Sequence, residues 1–227
     1  MDTPDPAAVA ALVQTVLRSG FFQPSFSQIG EDRLLWLLLG SRLGGFYVDI
    51  GCHRPFRLSN TALLHIARGW NGVNVDVDAR VIADFAAARP DDVNVCAAVG
   101  SPGRREVTLF EGGATNTLDP VMAADPRWPG RLGTTMVDVL PLATILERHV
   151  PPGQVIDLLN VDIEGLDHEA LLSNDWARFR PEVIAVEAHG FKLAHAGNHP
   201  TFQLLTGHGY GLVAHIFATS VYRRQAQ

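Results

Sequence analysis

The 227-residue sequence lacks the features of membrane, disulfide-rich and nucleic-acid-binding proteins. No apolar run approaches the ~20 residues that span a bilayer, and the richest stretch, Leu34 to Leu39, lies in a helical pattern with charges before it. The two cysteines, Cys52 and Cys96, form neither a disulfide framework nor a zinc-ligand spacing. A net charge of −6 without a basic cluster argues against a nucleic-acid surface.

The remaining composition is that of an ordinary globular protein, with 47% hydrophobic and 19% charged residues. Its length suffices for one large α/β domain. The acidic start, Met1-Asp-Thr-Pro-Asp5, lacks the basic region of a signal peptide. We therefore expect a cytoplasmic protein.

From Phe46 onward, short apolar runs alternate with helical segments. Continuous valine and isoleucine runs indicate strands that are covered on both faces, as in a parallel sheet with right-handed crossovers. The predicted main strands are Phe46–Ile50, Gly72–Asp76, Val93–Ala97, Ile156–Val161 and Val183–Glu187. The predicted helices between them are Asn60–Arg68, Arg80–Arg89, Leu142–His149 and Asp167–Leu172.

Four shorter runs complete the pattern of strands. Those around Val107–Phe110 and Thr135–Val139 predict an excursion between the third and fourth main strands. Gly211–Ile216 and Ser220–Arg223, separated by a short turn, predict a terminal antiparallel hairpin. A parallel sheet that ends in an antiparallel hairpin is the arrangement of class I methyltransferases.

Two helical segments precede the first strand. Ala7 to Leu17 is apolar, and Ser27 to Asp32 opens a helix with acids in its first turn, where they interact favourably with the helix dipole. We predict an N-terminal helical extension over residues 1–45. Residues 46–227 are predicted to form one α/β domain with a Rossmann-like, mostly parallel seven-stranded sheet.

The carboxyl ends of the first three main strands carry residues suited to an adenosyl cofactor, and ligands bind at such ends in open α/β sheets. Asp49 can accept a hydrogen bond from an ammonium group, and Gly51 permits a close backbone approach. Asp76 can accept hydrogen bonds from both ribose hydroxyls. Ala97 lies at the end of the third strand, in the region that usually contacts adenine. Alone, Asp49 would be read as a helix N-cap and Gly51 as a turn glycine.

A dinucleotide site is the competing interpretation. It requires the glycines of G-x-G-x-x-G, so that pyrophosphate can lie on a helix N-terminus. The corresponding stretch, Gly51-Cys-His-Arg-Pro-Phe56, has one glycine, a proline and bulky side chains. S-adenosylmethionine contains no phosphate and is therefore favoured over NAD. An oxidoreductase stays the weaker alternative, beside a binding or regulatory protein that holds the cofactor without catalysis.

Eight segments in the correct order resemble the FkbM family of methyltransferases. They are Ser27-Gln-Ile-Gly-Glu-Asp32, Asp49-Ile-Gly51 with Pro55, Ser59-Asn-Thr61, Gly69-Trp-Asn-Gly-Val-Asn-Val-Asp76, Ala98-Val-Gly100, Asn116-Thr117, Asn160-Val-Asp-Ile-Glu-Gly165 and Arg180-Pro-Glu-Val-Ile-Ala-Val-Glu187. The resemblance implies the class I methyltransferase fold, S-adenosylmethionine as donor and O-methylation of sugars, polyketides or other natural products. One departure is Asn160, where the family commonly has lysine.

Carboxylates and an imidazole follow the fourth and fifth main strands, where an acceptor would meet the methyl group. An alcohol is a weak nucleophile, and a positioned base that removes its proton contributes ~10²–10⁴-fold. We predict Asp162, Glu187 and His189 as catalytic residues, with Asp162 as base or orienting group and His189 as proton acceptor. With Glu164 nearby, the same three could instead hold Mg²⁺ or Mn²⁺. The structural alternatives are a helix cap at Asp162 and an arginine partner for Glu187.

The remaining expectations concern contacts with ligands and partners. Gln28 and Glu31 could close over the site, and His53 and Arg54 stand above the methionine end of the cofactor. The acceptor is expected to be a small molecule or saccharide, without nucleic-acid or membrane partners, and the apolar N-terminal helix allows a homodimer. The predicted cofactor contacts are Asp49, Gly51, His53, Asn60, Asp76, Val77, Ala97, Ala98 and Asp162.

Overall fold

The computed structural model describes residues 24–101, 103, 105–112, 117–118, 120–126 and 133–226. The helix predicted at Ala7–Leu17 and the motif residue Asn116 lie outside the described residues.

The described elements follow the predicted alternation of strands and helices. The strands are β1 (Phe46–Ile50), β2 (Asn71–Asp76), β3 (Val93–Cys96), β4 (Ala98–Val99), β5 (Glu106–Glu111), β6 (Gly133–Leu140), β7 (Leu158–Val161), β8 (Val183–Glu187), β9 (Tyr210–Ile216) and β10 (Thr219–Arg224). The helices are α1 (Glu31–Leu38), α2 (Ala62–Arg68), α3 (Ala79–Ala88), α4 (Pro120–Ala123), α5 (Leu142–His149), α6 (Asp167–Leu172) and α7 (Pro200–Gly207), with a 3₁₀ helix at Leu193–Asn198. Among the described helices, none is long and apolar enough to cross a membrane.

Seven strands form one sheet in the order β3-β2-β1-β7-β8-β10-β9. The first five are parallel neighbours, and β10 runs antiparallel to both β8 and β9. Strand β1 pairs with β2 on one side and β7 on the other, so the order reverses at β1. Ligands bind at such a switch point in open sheets. The predicted class I arrangement, with its terminal antiparallel hairpin, is confirmed.

Strand β1 is buried along its whole length because both faces of the sheet are covered. Val48 and Ile50 point into the larger core cluster, which includes helix α5. Tyr47 points to the opposite face, where it packs with Leu35 of α1. Asp49 follows the same alternation and so faces the side of Tyr47, toward α2.

A second sheet, in the order β4-β6-β5, confirms the excursion predicted after the third main strand. The sequence pattern missed β4, α4 and the 3₁₀ helix. Strand β4 has two residues, with Ala98 paired to Val139 and Val99 paired to Leu140. A strand of this length is too short to produce a recognisable hydrophobic pattern in the sequence. Its formation also ends β3 at Cys96 rather than at the predicted Ala97.

Candidate active site

A cavity of about 390 Å³ lies at the carboxyl ends of β1, β2, β3 and β7. Six of the nine predicted cofactor contacts line it: Gly51, His53, Asp76, Val77, Ala97 and Asp162. Asp49, Asn60 and Ala98 do not line it. The wall also includes residues from the small sheet, such as Leu109, and Gln28 from the segment before α1.

Gly51 has a left-handed backbone, with φ of +80°. A Cβ atom at this position would overlap the carbonyl oxygen of Asp162. The glycine therefore allows the loops after β1 and β7 to touch. Gly51 was predicted to let a ligand come close to the backbone. In this structure the atom close to it is the backbone carbonyl oxygen of Asp162.

Asp76 ends β2 with its carboxylate in the cavity wall. One oxygen accepts a hydrogen bond from the backbone amide of His53 at 3.1 Å, and the other accepts one from Asp78 at 2.9 Å. Each carboxylate oxygen has about two lone-pair sites, so each can accept one more donor. Burial raises the pKa of Asp76 to about 6.

Asp78 and Arg80 also line the cavity, and neither was among the predicted contacts. Asp78 caps α3 by accepting from the backbone amide of Arg80 at 2.9 Å, and the two side chains form an ion pair at 2.8 Å. An aspartate directly before a helical pattern is an N-cap signal. That signal, next to the Asp76 strand end, could have placed both residues at the site.

Asp49 lies behind the cavity wall rather than in it, and its contact with an ammonium group stays a prediction. Its carboxylate accepts hydrogen bonds from Thr61 and from the side-chain amide of Asn160, both at 2.8 Å. The carboxylate is 1% exposed, and burial raises its pKa. Asp49 therefore joins β1, β7 and the start of α2 beneath the site.

Asn60 and Ala98 also lie outside the cavity wall, and their contacts with the cofactor stay predictions. Asn60 donates to the side-chain oxygen of Asn160 at 2.9 Å, so it extends the hydrogen bonds of Asp49 toward the loop before α2. Ala98 packs with Val107 and Val139 in a small apolar cluster. Both residues support the cavity without lining it.

The structure brings together the acidic residues and the histidine that follow β7 and β8. The Nε2 atom of His189 lies 3.0 Å from Oε2 of Glu187. Glu164, Glu187 and His189 each offer one ligand atom, and these atoms lie within 4.8 Å of one another. Asp162, which was also predicted as a metal ligand, is not in this set; Glu164 takes its place.

These carboxyl groups hold protons more tightly than exposed ones. Burial raises the pKa of Glu187 to about 8, helped by the negative charges of Glu164 and Asp167, while a hydrogen bond with Asp162 lowers it in part. Burial, followed by the charge of Glu187, also raises the pKa of Asp162 well above its usual range. Near neutral pH, the Asp162–Glu187 pair therefore retains a proton.

Asp167, at the first position of α6, shapes the loop that carries Glu164. Its two oxygens accept the backbone amides of Ile163 at 2.9 Å and Gly165 at 3.0 Å. Between them, Glu164 has a φ of +55°, which non-glycine residues seldom adopt. Asp167 was not among the predicted site residues, although an acid at the start of a helical pattern is a recognisable signal.

The family model described as Methyltransferase FkbM domain matches residues 49–212, more than two thirds of the chain. The chain belongs to the FkbM methyltransferase family. It is therefore an S-adenosylmethionine-dependent methyltransferase, as the resemblance implied. No curated protein matches it significantly.

The chain is also similar to solved methyltransferase structures at low identity. Cofactor-bound Rv0187 from MTB is 16% identical, with a TM-score of 0.45 over 97% of this chain and 90% of that one. An O-methyltransferase from Bacillus cereus in complex with SAH is 11% identical, with a TM-score of 0.43 over 97% and 92%. A TehB-like SAM-dependent methyltransferase from Corynebacterium glutamicum is 12% identical, with a TM-score of 0.42 over 97% and 100%.

Proposed function

We propose that this FkbM-family methyltransferase methylates a hydroxyl group of a small-molecule or saccharide acceptor. The observation that carries the proposal is the 3.0 Å contact between His189 and Glu187. It adjoins the cavity through Glu164, which lines the cavity wall. An alcohol needs such a base because its hydroxyl must lose a proton as the oxygen is methylated.

The cavity supplies the features that S-adenosylmethionine requires. Its volume of about 390 Å³ falls in the range of small-molecule sites. In the proposed mode of binding, the two oxygens of Asp76 accept the ribose hydroxyls. Val77, Ala97 and Leu109 then provide an apolar wall for adenine.

The chain's own contribution to the chemistry is the removal of a proton. When bound, S-adenosylmethionine supplies a methyl group whose transfer to the acceptor oxygen leaves S-adenosylhomocysteine and one proton. The Glu187 carboxylate takes this proton as the O–H bond breaks. His189, whose side chain is 55% exposed, then passes it to solvent.

Glu187 suits the role of base better than Asp162 does. A pKa of about 8 makes the Glu187 carboxylate a stronger base than an ordinary one, yet it still ionises near neutral pH. Burial, followed by the charge of Glu187, raises the pKa of Asp162 well above its usual range. The hydrogen bond between the two side chains instead suits Asp162 to orient Glu187.

A divalent cation is a second arrangement that the same atoms allow. Oxygen ligands from Glu164 and Glu187, with the imidazole of His189, suit Mn²⁺ or Mg²⁺. Dialysis against EDTA separates the two arrangements. Turnover that disappears and returns with MnCl₂ would replace the proton relay by metal activation of the acceptor.

The direct test is the formation of S-adenosylhomocysteine with a panel of methyl glycosides and phenolic or aliphatic alcohols. We expect turnover with at least one hydroxyl compound, and loss of most of it in Glu187→Gln. The matched control is Glu182→Gln, because Glu182 precedes the same strand at its other end and pairs with Arg223. Turnover only with amines would refute O-methylation. Cofactor binding without turnover on any acceptor would favour the non-catalytic alternative.

A further inference from the structure

The segment before α1 forms a hydrogen-bonded turn around Asp32. One Asp32 oxygen accepts the hydroxyls of Ser25 at 2.6 Å and Ser27 at 2.8 Å, and the other accepts the backbone amide of Phe26 at 2.7 Å. Asp32 is 0% exposed. Three donors converge on this buried carboxylate, so it holds the turn in one conformation.

The Ser27 hydroxyl closes the same turn from inside. It accepts the backbone amides of Gly30 at 3.1 Å and Asp32 at 3.3 Å while donating to the Asp32 carboxylate. Ile29 is held as well, because its amide donates to the Glu31 carboxylate at 2.9 Å. The residue between these anchors is Gln28, whose side chain is exposed and lines the cavity.

The turn is tied to the loop after β1. The carbonyl oxygen of Phe26 accepts the backbone amide of Ser59 at 2.9 Å. Leu58, the preceding residue, lines the cavity together with Gln28. The turn therefore meets the cavity beside the loop after β1. Asp76 and Ala97, which are assigned to ribose and adenine, belong to the ends of β2 and β3.

We propose that Gln28 binds the methionine end of the cofactor and that Asp32 is its positioning residue. An amide donates and accepts hydrogen bonds, so it can pair with either charged group of an amino-acid zwitterion. Asp32 holds the turn in place before the cofactor arrives, which lowers the entropy lost on binding. The inference depends on cofactor binding by the family and holds for any acceptor.

The test compares two ligands that share the adenosine part. S-adenosylhomocysteine carries the amino-acid end, and methylthioadenosine lacks it. Gln28→Ala is expected to weaken S-adenosylhomocysteine about tenfold, the loss of one good hydrogen bond, and to leave methylthioadenosine unchanged in calorimetry. Asp32→Ala is expected to show the same selective loss, and Asp32→Asn a smaller one.

The double variant Gln28→Ala/Asp32→Ala should bind S-adenosylhomocysteine no more weakly than Asp32→Ala, because both changes remove the same contact. Asp157→Asn is the matched control. Asp157 is another buried carboxylate that accepts a backbone amide, that of Phe46 at 2.9 Å, but it lies before β7 at the other end of the sheet. Its loss should lower the melting temperature without changing either affinity.

Three results would overturn the inference. One is unchanged S-adenosylhomocysteine affinity in Gln28→Ala, whose exposed side chain makes misfolding an inadequate explanation. Another is an equal loss for both ligands in Asp32→Asn, which would indicate a general structural role. The third is a loss of S-adenosylhomocysteine affinity in the double variant that equals the sum of the two single losses, which would show that Asp32 does not act through Gln28.

Discussion

Glu187 and His189 lie in contact at the carboxyl end of β8, with Oε2 and Nε2 3.0 Å apart. Only 13% of the glutamate side chain is exposed, whereas the histidine is 55% exposed. The pair thus places a largely buried carboxylate beside an exposed imidazole. Its geometry makes the pH dependence of the protein a direct test of its role.

Turnover should rise with pH through the region of the Glu187 pKa, about 8, because the carboxylate must be ionised to accept a proton. The measurement is kcat at saturating acceptor across the neutral and alkaline range. In Glu187→Gln the rise should vanish along with most of the activity. A wild-type profile that is flat through this region would remove Glu187 as the base.

The same pKa predicts how stability depends on pH. The pKa of Glu187 is 4.5 for the unperturbed group and about 8 in the folded protein, so the folded state binds the proton more tightly. The contribution of this group to stability is therefore full below the unfolded pKa and is lost as pH rises toward the folded pKa. Glu187→Gln should raise the melting temperature more at about pH 8 than at about pH 5. An equal effect at both values would contradict the raised pKa.

Asp76 should be essential for cofactor affinity. Hydrogen bonds to a charged group contribute roughly 1.5–3 kcal/mol each, so losing two ribose contacts in Asp76→Ala should weaken S-adenosylhomocysteine by about a hundredfold or more. Calorimetry measures this directly. Glu147→Gln is the control, since Glu147 pairs with Arg178 at 2.9 Å on the surface and neither residue lines the cavity. Unchanged affinity in Asp76→Ala would refute the ribose assignment.

Much of the main sheet could be predicted because buried strands appear in the sequence as short runs of apolar residues. The buried run Val183–Glu187 reads as a strand, and the helix Leu142–His149 has its predicted bounds. Burial on both faces replaces alternation with continuous apolar residues. By contrast, β4 is formed by two residues whose partner, Val139 of β6, lies far along the chain, so its local sequence carries little signal.

Position along a strand was enough to place Asp76 and Asp162 in the cavity wall. It was not enough for Asp49, whose place depends on the direction of its side chain. Asp49 lies one residue before the end of β1 and faces Thr61 of the α2 cap, because successive side chains alternate between the faces of a sheet. The turn around Asp32 depends on hydrogen bonds that no periodic pattern encodes.

Gly51→Ala should destabilise the protein more than the same substitution at another glycine with a similar backbone conformation. Gly51 has φ of +80° and Gly153 has φ of +78°, but only the first has an atom in the path of a Cβ. Gly153→Ala should therefore cost about 1–2 kcal/mol of unfolding free energy for the left-handed backbone. Gly51→Ala should cost more, because Asp162 must also move. Urea denaturation of both variants measures the difference, and equal losses would show that the loops after β1 and β7 separate freely.

Asp167 should affect turnover more than cofactor affinity. Its carboxylate holds the amides of Ile163 and Gly165, and thereby keeps Glu164 near Glu187 and His189. In Asp167→Asn one of the two acceptors becomes a donor, so one amide loses its partner and the loop can relax from the left-handed conformation at Glu164. We expect kcat to fall about tenfold, as for the loss of one well-placed hydrogen bond. The affinity for S-adenosylhomocysteine should change little, because Asp76 stands on the other side of β1. A fall in affinity with kcat unchanged would mean that this loop serves the cofactor, and the acceptor side would then have to be sought elsewhere along the cavity.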